Sequence, residues 1–397
     1  MKKIYIESFY TLVLVYAAML LFPVLYNFDL LRSFKEALSD FNITDSVYST
    51  MKVDKAELHS SDDNIVIVDI DGISKQGVAK LIDLISKKNP RVIGIDRVFD
   101  KGEKKIHDFF LTNSIESAGN VVLSSEMHFD DEDNLLCDSI STSDSLFLEY
   151  SDVGYINLGI GQDKKTSTIR DYYPRYKAMG DTLNSFAYAV AKQYDENSIR
   201  TLSQRNNEKE IIFYRGNLSK FHFEDGIHIM NDEVFIDYFK DKIVLLGDVG
   251  RFRGYKLVED LYFTPLNERY SGRTFPDMNR IEIQANIISR LIERKFVDEM
   301  PVWLSVFISV ILCYINILIF SIISIKNKKW FEISSMLVFL AESLLIIGLT
   351  IWAYSTLNYQ LRLNVALIAI AISVFAYQFY NESVKPFAIL IYNKFIK

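Results

Sequence analysis

The sequence predicts an α/β domain, built on a mainly parallel sheet flanked by helices, joined to four transmembrane α-helices. Three observations carry this. Four apolar stretches, with a single charged residue among them, are each long enough to cross a bilayer. The region between the first and second of them alternates short β-branched runs with amphipathic helical periods, the order of a parallel sheet. Those runs are apolar throughout rather than alternating, so both faces of the sheet should be covered.

Hydrophobic residues make up 49% of the 397 residues, an ordinary share for a globular protein, so their concentration at the two ends is what marks a membrane protein. The net charge of −7 is set by the middle of the chain, which is acidic on balance while the ends are basic. An acidic folded region argues against nucleic acid and anionic headgroups as partners, since both need a basic face. Cys137 and Cys313 are the two cysteines, and the second sits in an apolar span, so no internal disulfide is expected.

Residues 8–28 form the first span, about twenty residues without a charge, enough at a helical rise of about 1.5 Å per residue to cross about 30 Å of hydrocarbon. No small-residue cleavage motif follows, so it reads as a retained anchor. Residues 29–61 have apolar positions at helical spacing and read as a juxtamembrane linker. Residues 64–72, NIVIVDIDG, are a buried parallel strand with its exit turn. A helix capped by Ser74 follows, with Val78, Leu81, Ile82 and Ile85 on one face, and Asn89-Pro90 stops it.

Residues 91–99, RVIGIDRVF, repeat the strand pattern, a helix is expected at 104–117, and 120–124 make a third strand. Residues 130–145 are acidic and Ser-rich and read as a loop. Short strands are expected at 155–158, 170–176 and 210–214, with a helix over 182–194. Residues 240–250, KDKIVLLGDVG, return to the buried-strand pattern, and 280–295 are an exit helix leading to the second span.

The remaining spans are 301–325, 333–357 and 363–380. Lys2 and Lys3 precede the first span, Lys326, Lys328 and Lys329 lie between the second and third, and Lys385, Lys394 and Lys397 follow the fourth. Arg362 alone is on the opposite side. This asymmetry predicts cytoplasmic termini and an extracytoplasmic domain over residues 62–297. Glu342 is the one acid well inside a span. It reads either as a packing residue or as a contact with a partner helix.

In this order the motifs resemble the CHASE2 domain, a bacterial extracytoplasmic sensory module followed by three transmembrane helices. The opening Asp-x-Asp strand is similar to residues 65–71, and Gly-Ile-Asp-x-x-Phe to Gly94, Ile95, Asp96 and Phe99. The family's middle Arg and short helix look like Arg170 and 185–191. Its Lys-Ile-Val-x-x-Gly strand with a later Asp and Thr-Pro looks like 242–247, Asp260, Thr264 and Pro265. Its exit-helix motif is met at Ile281, Glu282, Ile283, Ala285 and Asn286, with Arg280 in place of glycine and Gln284 in place of histidine.

Asp69, Asp71, Asp96 and Asp248 fall at or after strand ends, the edge of an open α/β sheet where ligands bind. With Arg170 and Asp260 they form the candidate ligand set. Asp at such places most often caps a following turn; the second reading is a site in which several carboxylates share a cation such as Mg²⁺ or Ca²⁺. Neither a metal nor a cofactor is otherwise called for. His59, His107, His128, His222 and His228 form no metal pair, and no G-x-S-x-G or Gly-rich phosphate loop is present, so no catalysis is expected.

The resemblance implies a transmembrane sensor that detects an unknown ligand or envelope partner. With only a short tail after the last span, residues 298–397 are expected to signal to a separate cytoplasmic effector protein, in a possible homodimer. The alternative is a membrane-anchored scaffold of the cell envelope.

Overall fold

The computed structural model describes residues 2–26, 42–50, 61–101, 105–129, 135–161, 167–231, 236–249, 261–267, 275–326 and 328–395. They belong to two compact units, Tyr48–Val297 and a second formed by Met1–Val47 with Asp298–Lys397. The chain opens on helix α1, Lys2–Tyr26. Of the linker, the helix Asp45–Thr50 is described, and residues 27–41 and 51–60 lie outside the described residues.

The α/β unit begins with β1, Asp62–Asp69, and α2, Lys75–Ser86. The Ser74 hydroxyl accepts from the Gly77 amide at 3.3 Å and starts α2. Its end is marked by Asn89, whose φ of 52° lies in the left-handed region that Asn tolerates, followed by Pro90. Then come β2, Val92–Ile95, α3, Lys105–Ala118, and β3, Val121–His128. β4, Ser139–Ser141, and β5, Asp152–Tyr155, complete the first half. The second half contributes α4, Phe186–Tyr194, α5, Glu196–Arg205, β6, Phe221–Asp225, β7, Ile243–Gly247, and α6, Arg280–Glu293.

Six strands are parallel, in the order β6, β1, β7, β2, β3, β5, and β4 pairs antiparallel to the far end of β3. Val66, Val68, Ile93, Ile95, Val121, Leu123, Val244 and Leu246 face α2 and α3 in one core. The opposite face carries α4 and α6. At Gly94 of β2 a Cβ would lie 2.9 Å from the Phe186 ring and 3.1 Å from Val190 of α4, so this helix rests directly on the sheet backbone. α6 packs on β1 and β7. Helices on both faces are what the unbroken apolar runs required.

The structure corrects several local expectations. Residues 181–184 are a strand rather than the start of a helix, paired with Arg175–Ala178. Met179 and Gly180 both have positive φ, the two-residue turn that matches strand twist, and α4 starts only at the Ser185 cap. β3 extends past the expected 124, and its extension supplies an edge on which β4 forms inside the expected loop. The strand expected at 155–158 is β5, three residues earlier. The strand expected at 170–176 is two short ones, Asp171–Tyr172 paired with Glu210–Ile211 and Arg175–Ala178 in the hairpin, and of 210–214 only Glu210–Ile211 pairs. The edge strand β6, FHFED, has one half-exposed side and lacks an apolar run. α5 also went unforeseen.

In the second unit α7 is Val302–Lys326, α8 Phe331–Leu357, α9 Asn364–Phe379 and α10 Lys385–Phe395. Among the described residues four helical stretches are long and apolar enough to cross a membrane: Ile4–Leu21, Val302–Lys326, Phe331–Leu357 and Asn364–Asn393. The last does not stop at 380, because a π-helical turn, Tyr380–Val384, joins α9 to α10. Pro386 lacks an N–H and its ring crowds the carbonyl four residues back, and a wider turn at that place relieves the crowding.

Small polar groups tie these helices together. Tyr16 and Ser309 share a hydrogen bond of 2.9 Å, and Ser8 meets Ser321 at 3.3 Å. The Asn316 amide donates to Ser373 at 3.1 Å. Asp298–Glu299, just before α7, pairs with Tyr359–Gln360 between α8 and α9. The Asp298 amide donates to the Asn358 carbonyl and the Met300 amide to Gln360, both at 3.0 Å, and Arg362 bonds to Glu299.

Candidate functional site

The register of the sheet brings the expected carboxylates to one edge. Asp69 lies opposite both Asp225 of β6 and Gly247 of β7, and the Asp96 amide donates to the Leu246 carbonyl at 2.8 Å. Asp69, Asp71, Asp96 and Asp248 therefore share the carboxyl edge of three adjacent strands, β1, β7 and β2. Each is occupied differently. Asp69 Oδ1 accepts from the amides of Asp71, 2.9 Å, and Val249, 3.1 Å, so it caps two turns at once. Burial pushes the Asp69 carboxyl above its usual range; those two amides pull it down, while the charges of Asp71 and Asp225 add to the rise.

Asp96 is buried and forms a two-pronged pair with Arg280, the first residue of α6, at 3.0 Å to Nε and 2.7 Å to an Nη. Burial raises the Asp96 carboxyl and the Arg280 charge opposes that rise. For Arg280 burial works against the charge, but Asp96 outweighs it and the guanidinium sits above its ordinary value. Glu126 of β3 lies 3.8 Å from the same guanidinium. Asp248 pairs at 2.6 Å with Arg97, which also donates to the carbonyls of Ile70, 2.8 Å, and Ile73, 2.7 Å. Two guanidiniums thus stand among the carboxylates. Among the described residues no group of three or more His, Cys, Asp and Glu is placed to hold a metal ion.

α6 starts at this edge and runs back across the sheet, so that Ser289 near its end bonds to Asp62 at the opposite end of β1. The Asn279 side chain before it donates to the Val249 carbonyl, 3.1 Å, and to Glu282, 2.9 Å, while Glu282 accepts from the Leu218 amide at 3.1 Å. Gln284 donates to the Ile156 carbonyl after β5 at 3.3 Å. Asn286, fully buried, accepts from the amides of Arg215, 2.7 Å, and Gly216, 3.2 Å, and returns a bond to the Gly216 carbonyl at 2.9 Å. Arg215, itself buried, reaches Ser289 at 3.1 Å and pairs with Glu293, which Arg290 meets at 2.9 Å. The exit-helix motif is therefore a set of buried polar clamps. Asn286→Ala is expected to strand the 215–216 backbone groups and cost about 3 kcal/mol, read by thermal unfolding of the full chain in nanodiscs.

The other candidates fall elsewhere. Arg170 is half-buried, and its carbonyl accepts from the Ile212 amide at 2.8 Å beside the small pair Asp171–Tyr172 with Glu210–Ile211, which is separate from the main sheet. Asp260 lies outside the described residues. Thr264 is closed by Asp277, whose carboxylate accepts from the Thr264 amide at 2.9 Å and hydroxyl at 2.6 Å. Asp225, Arg97, Glu126 and Asp277 went unread in the sequence. Each meets its partner across a long stretch of chain, and only Asp225 at a strand end carried a local signal.

Glu342 keeps one buried oxygen without a hydrogen-bond partner, as do Ser343 and Asn316. It stands on α8, which packs against α7 and α9. The packing role then makes Glu342→Leu neutral or stabilising by about 1 kcal/mol in nanodiscs, since an unpaired buried acid is replaced by an apolar side chain of similar size. Loss of stability on that substitution would instead support a partner contact.

The CHASE2 domain family matches residues 13–325, from within α1 almost to the end of α7. No curated protein and no solved structure matches the chain.

Proposed function

The chain belongs to the CHASE2 family of sensory domains, and from that premise we propose that it is a membrane sensor. Its α/β unit lies outside the cytoplasm, takes up a ligand or an envelope partner at the carboxyl edge of the sheet, and relays the change to a cytoplasmic effector. The lysines at residues 2–3, 326–329 and 385–397 support this orientation in a cell membrane. No catalytic step is assigned.

One observation carries the reading. α6 holds the edge at Asp96, the turns after β5, β7 and residue 215, and then leads along the chain into α7. A rearrangement at the edge has to move groups that α6 holds, and the chain runs from α6 to the spanning helices. The scaffold reading draws on a different feature, the internal pairing of Asp96 and Asp248, which gives the edge the character of a finished surface.

Hydrogen exchange on the full chain in nanodiscs, with and without envelope extract, separates the two. Sensing is expected to alter exchange at the edge and in α6 and α7 together. Protection confined to a surface patch supports the scaffold, and no change with any extract overturns both.

A further inference from the structure

Two buried carboxylates at the sheet edge are left half-used. Asp69 and Asp225 are 2% and 7% exposed and sit opposite one another at the ends of β1 and β6. Each spends Oδ1 on the turn that follows it, Asp225 accepting from the Ile227 amide at 2.7 Å as Asp69 does from Asp71. Each leaves Oδ2 buried with no hydrogen-bond partner. They are register partners in a parallel pair, so the two side chains leave the sheet side by side on the same face.

No neighbouring cation is free to answer them among the described residues. Lys75 of α2 is bound to Asp108 at 2.6 Å and Lys80 to the Met230 carbonyl at 2.9 Å. Arg97 is committed to Asp248 and to two carbonyls. His228, on the short helix Gly226–Met230 after β6, is exposed. The other groups around the pair are acidic: Asp71 on the turn after β1, Asp248 after β7, and Glu282 of α6, which is held by Asn279 and the Leu218 amide. Two ionised carboxylates in a closed apolar setting repel one another and lose their hydration. A single proton on either acid removes the repulsion and gives that acid a hydrogen to donate.

We propose that Asp69 and Asp225 share a single proton, and that this proton is a ligand of the sheet edge. The neutralised pair locks the end of edge strand β6 to β1. Release of the proton leaves two adjacent anions at the place where β6 joins the sheet, and among the described residues β6 pairs with β1 alone. The inference deepens the sensory reading by naming one ligand of the same edge. Stability against pH tests the pair, and hydrogen exchange in α6 tests the relay, so either can fail alone.

The sign follows from linkage. A carboxyl whose folded value is raised contributes stability that is fully present below its ordinary value of 3.8 and is lost as pH rises through the folded value. Thermal unfolding of the full chain in nanodiscs is measured from acid to neutral pH for the parent, Asp69→Asn and Asp225→Asn. Asn in either place supplies a permanent donor. Each variant is expected to unfold about 2–4 °C above the parent at neutral pH, and the gap to close in acid.

Infrared difference spectra of the parent supply a second readout, a carboxylic-acid band that Asp69→Asn alters. If both variants unfold below the parent at all pH values and the band is unchanged, the shared proton is overturned. It is equally overturned if Mg²⁺ or Ca²⁺ alone raises the parent's unfolding temperature and leaves both variants unmoved, since a metal then occupies the pair.

Discussion

Arg280→Ala is expected to destabilise the α/β unit by about 3–5 kcal/mol, the cost of breaking a buried ion pair from one side. Asp96 is 6% exposed and both its oxygens bond to this one guanidinium. Without it the carboxylate stays buried beside Glu126 and Asp248, whose charges also oppose its ionisation. Its folded pKa, already raised by burial, rises further in the variant. Protonation then stabilises the variant as pH falls through that raised value towards 3.8, so the deficit shrinks in acid. Asp96→Asn with Arg280→Ala is expected to recover much of the loss, because the unpaired charge is gone. A flat pH response of Arg280→Ala would contradict this account.

The second large effect is expected at Gly154 in β5. A Cβ there would lie 2.6 Å from the Phe186 Cα, 2.7 Å from its amide nitrogen and 2.8 Å from the Ser185 carbonyl carbon. All three are backbone atoms at the start of α4, so no side-chain rotation relieves the clash. The start of α4 must lift off the strand, which strains the Ser185 cap and the bridge between Tyr155 and Ser185. Gly154→Ala is therefore expected to cost about 3 kcal/mol, the upper part of the range for overpacking. Gly94→Ala meets only side-chain ends, on Phe186, Leu245 and Val190, and is expected to cost about 1 kcal/mol. Thermal unfolding of both variants checks the order, and equal losses would show that the backbone contact is not what matters.

The strands read correctly were those buried on both faces. β1, β2 and β7 are built on short runs of Val, Ile and Leu closed by aspartate or glycine, whereas the spanning helices carry such runs inside far longer apolar stretches. β6 escaped because an edge strand alternates, and Phe221-His-Phe-Glu-Asp alternates weakly. The hairpin at 175–184 escaped because its turn, Met179-Gly180, needs two positive φ values that methionine does not advertise. Strand-end aspartates could be found one at a time, since each follows a β-branched run. What each one meets could not be found that way. Arg97 and Asp248 are brought together by β7 entering between β1 and β2, an insertion that chain order conceals.

The short ladder between Asp298–Glu299 and Tyr359–Gln360 changes how tension would travel. A tether ending on one helix would drag that helix alone past its neighbours. Here the strap before α7 is stitched to the bend between α8 and α9 by two amide bonds and by the Arg362 to Glu299 contact. Any load arriving along the strap is divided among three helices at the moment it arrives, and they answer as one yoke.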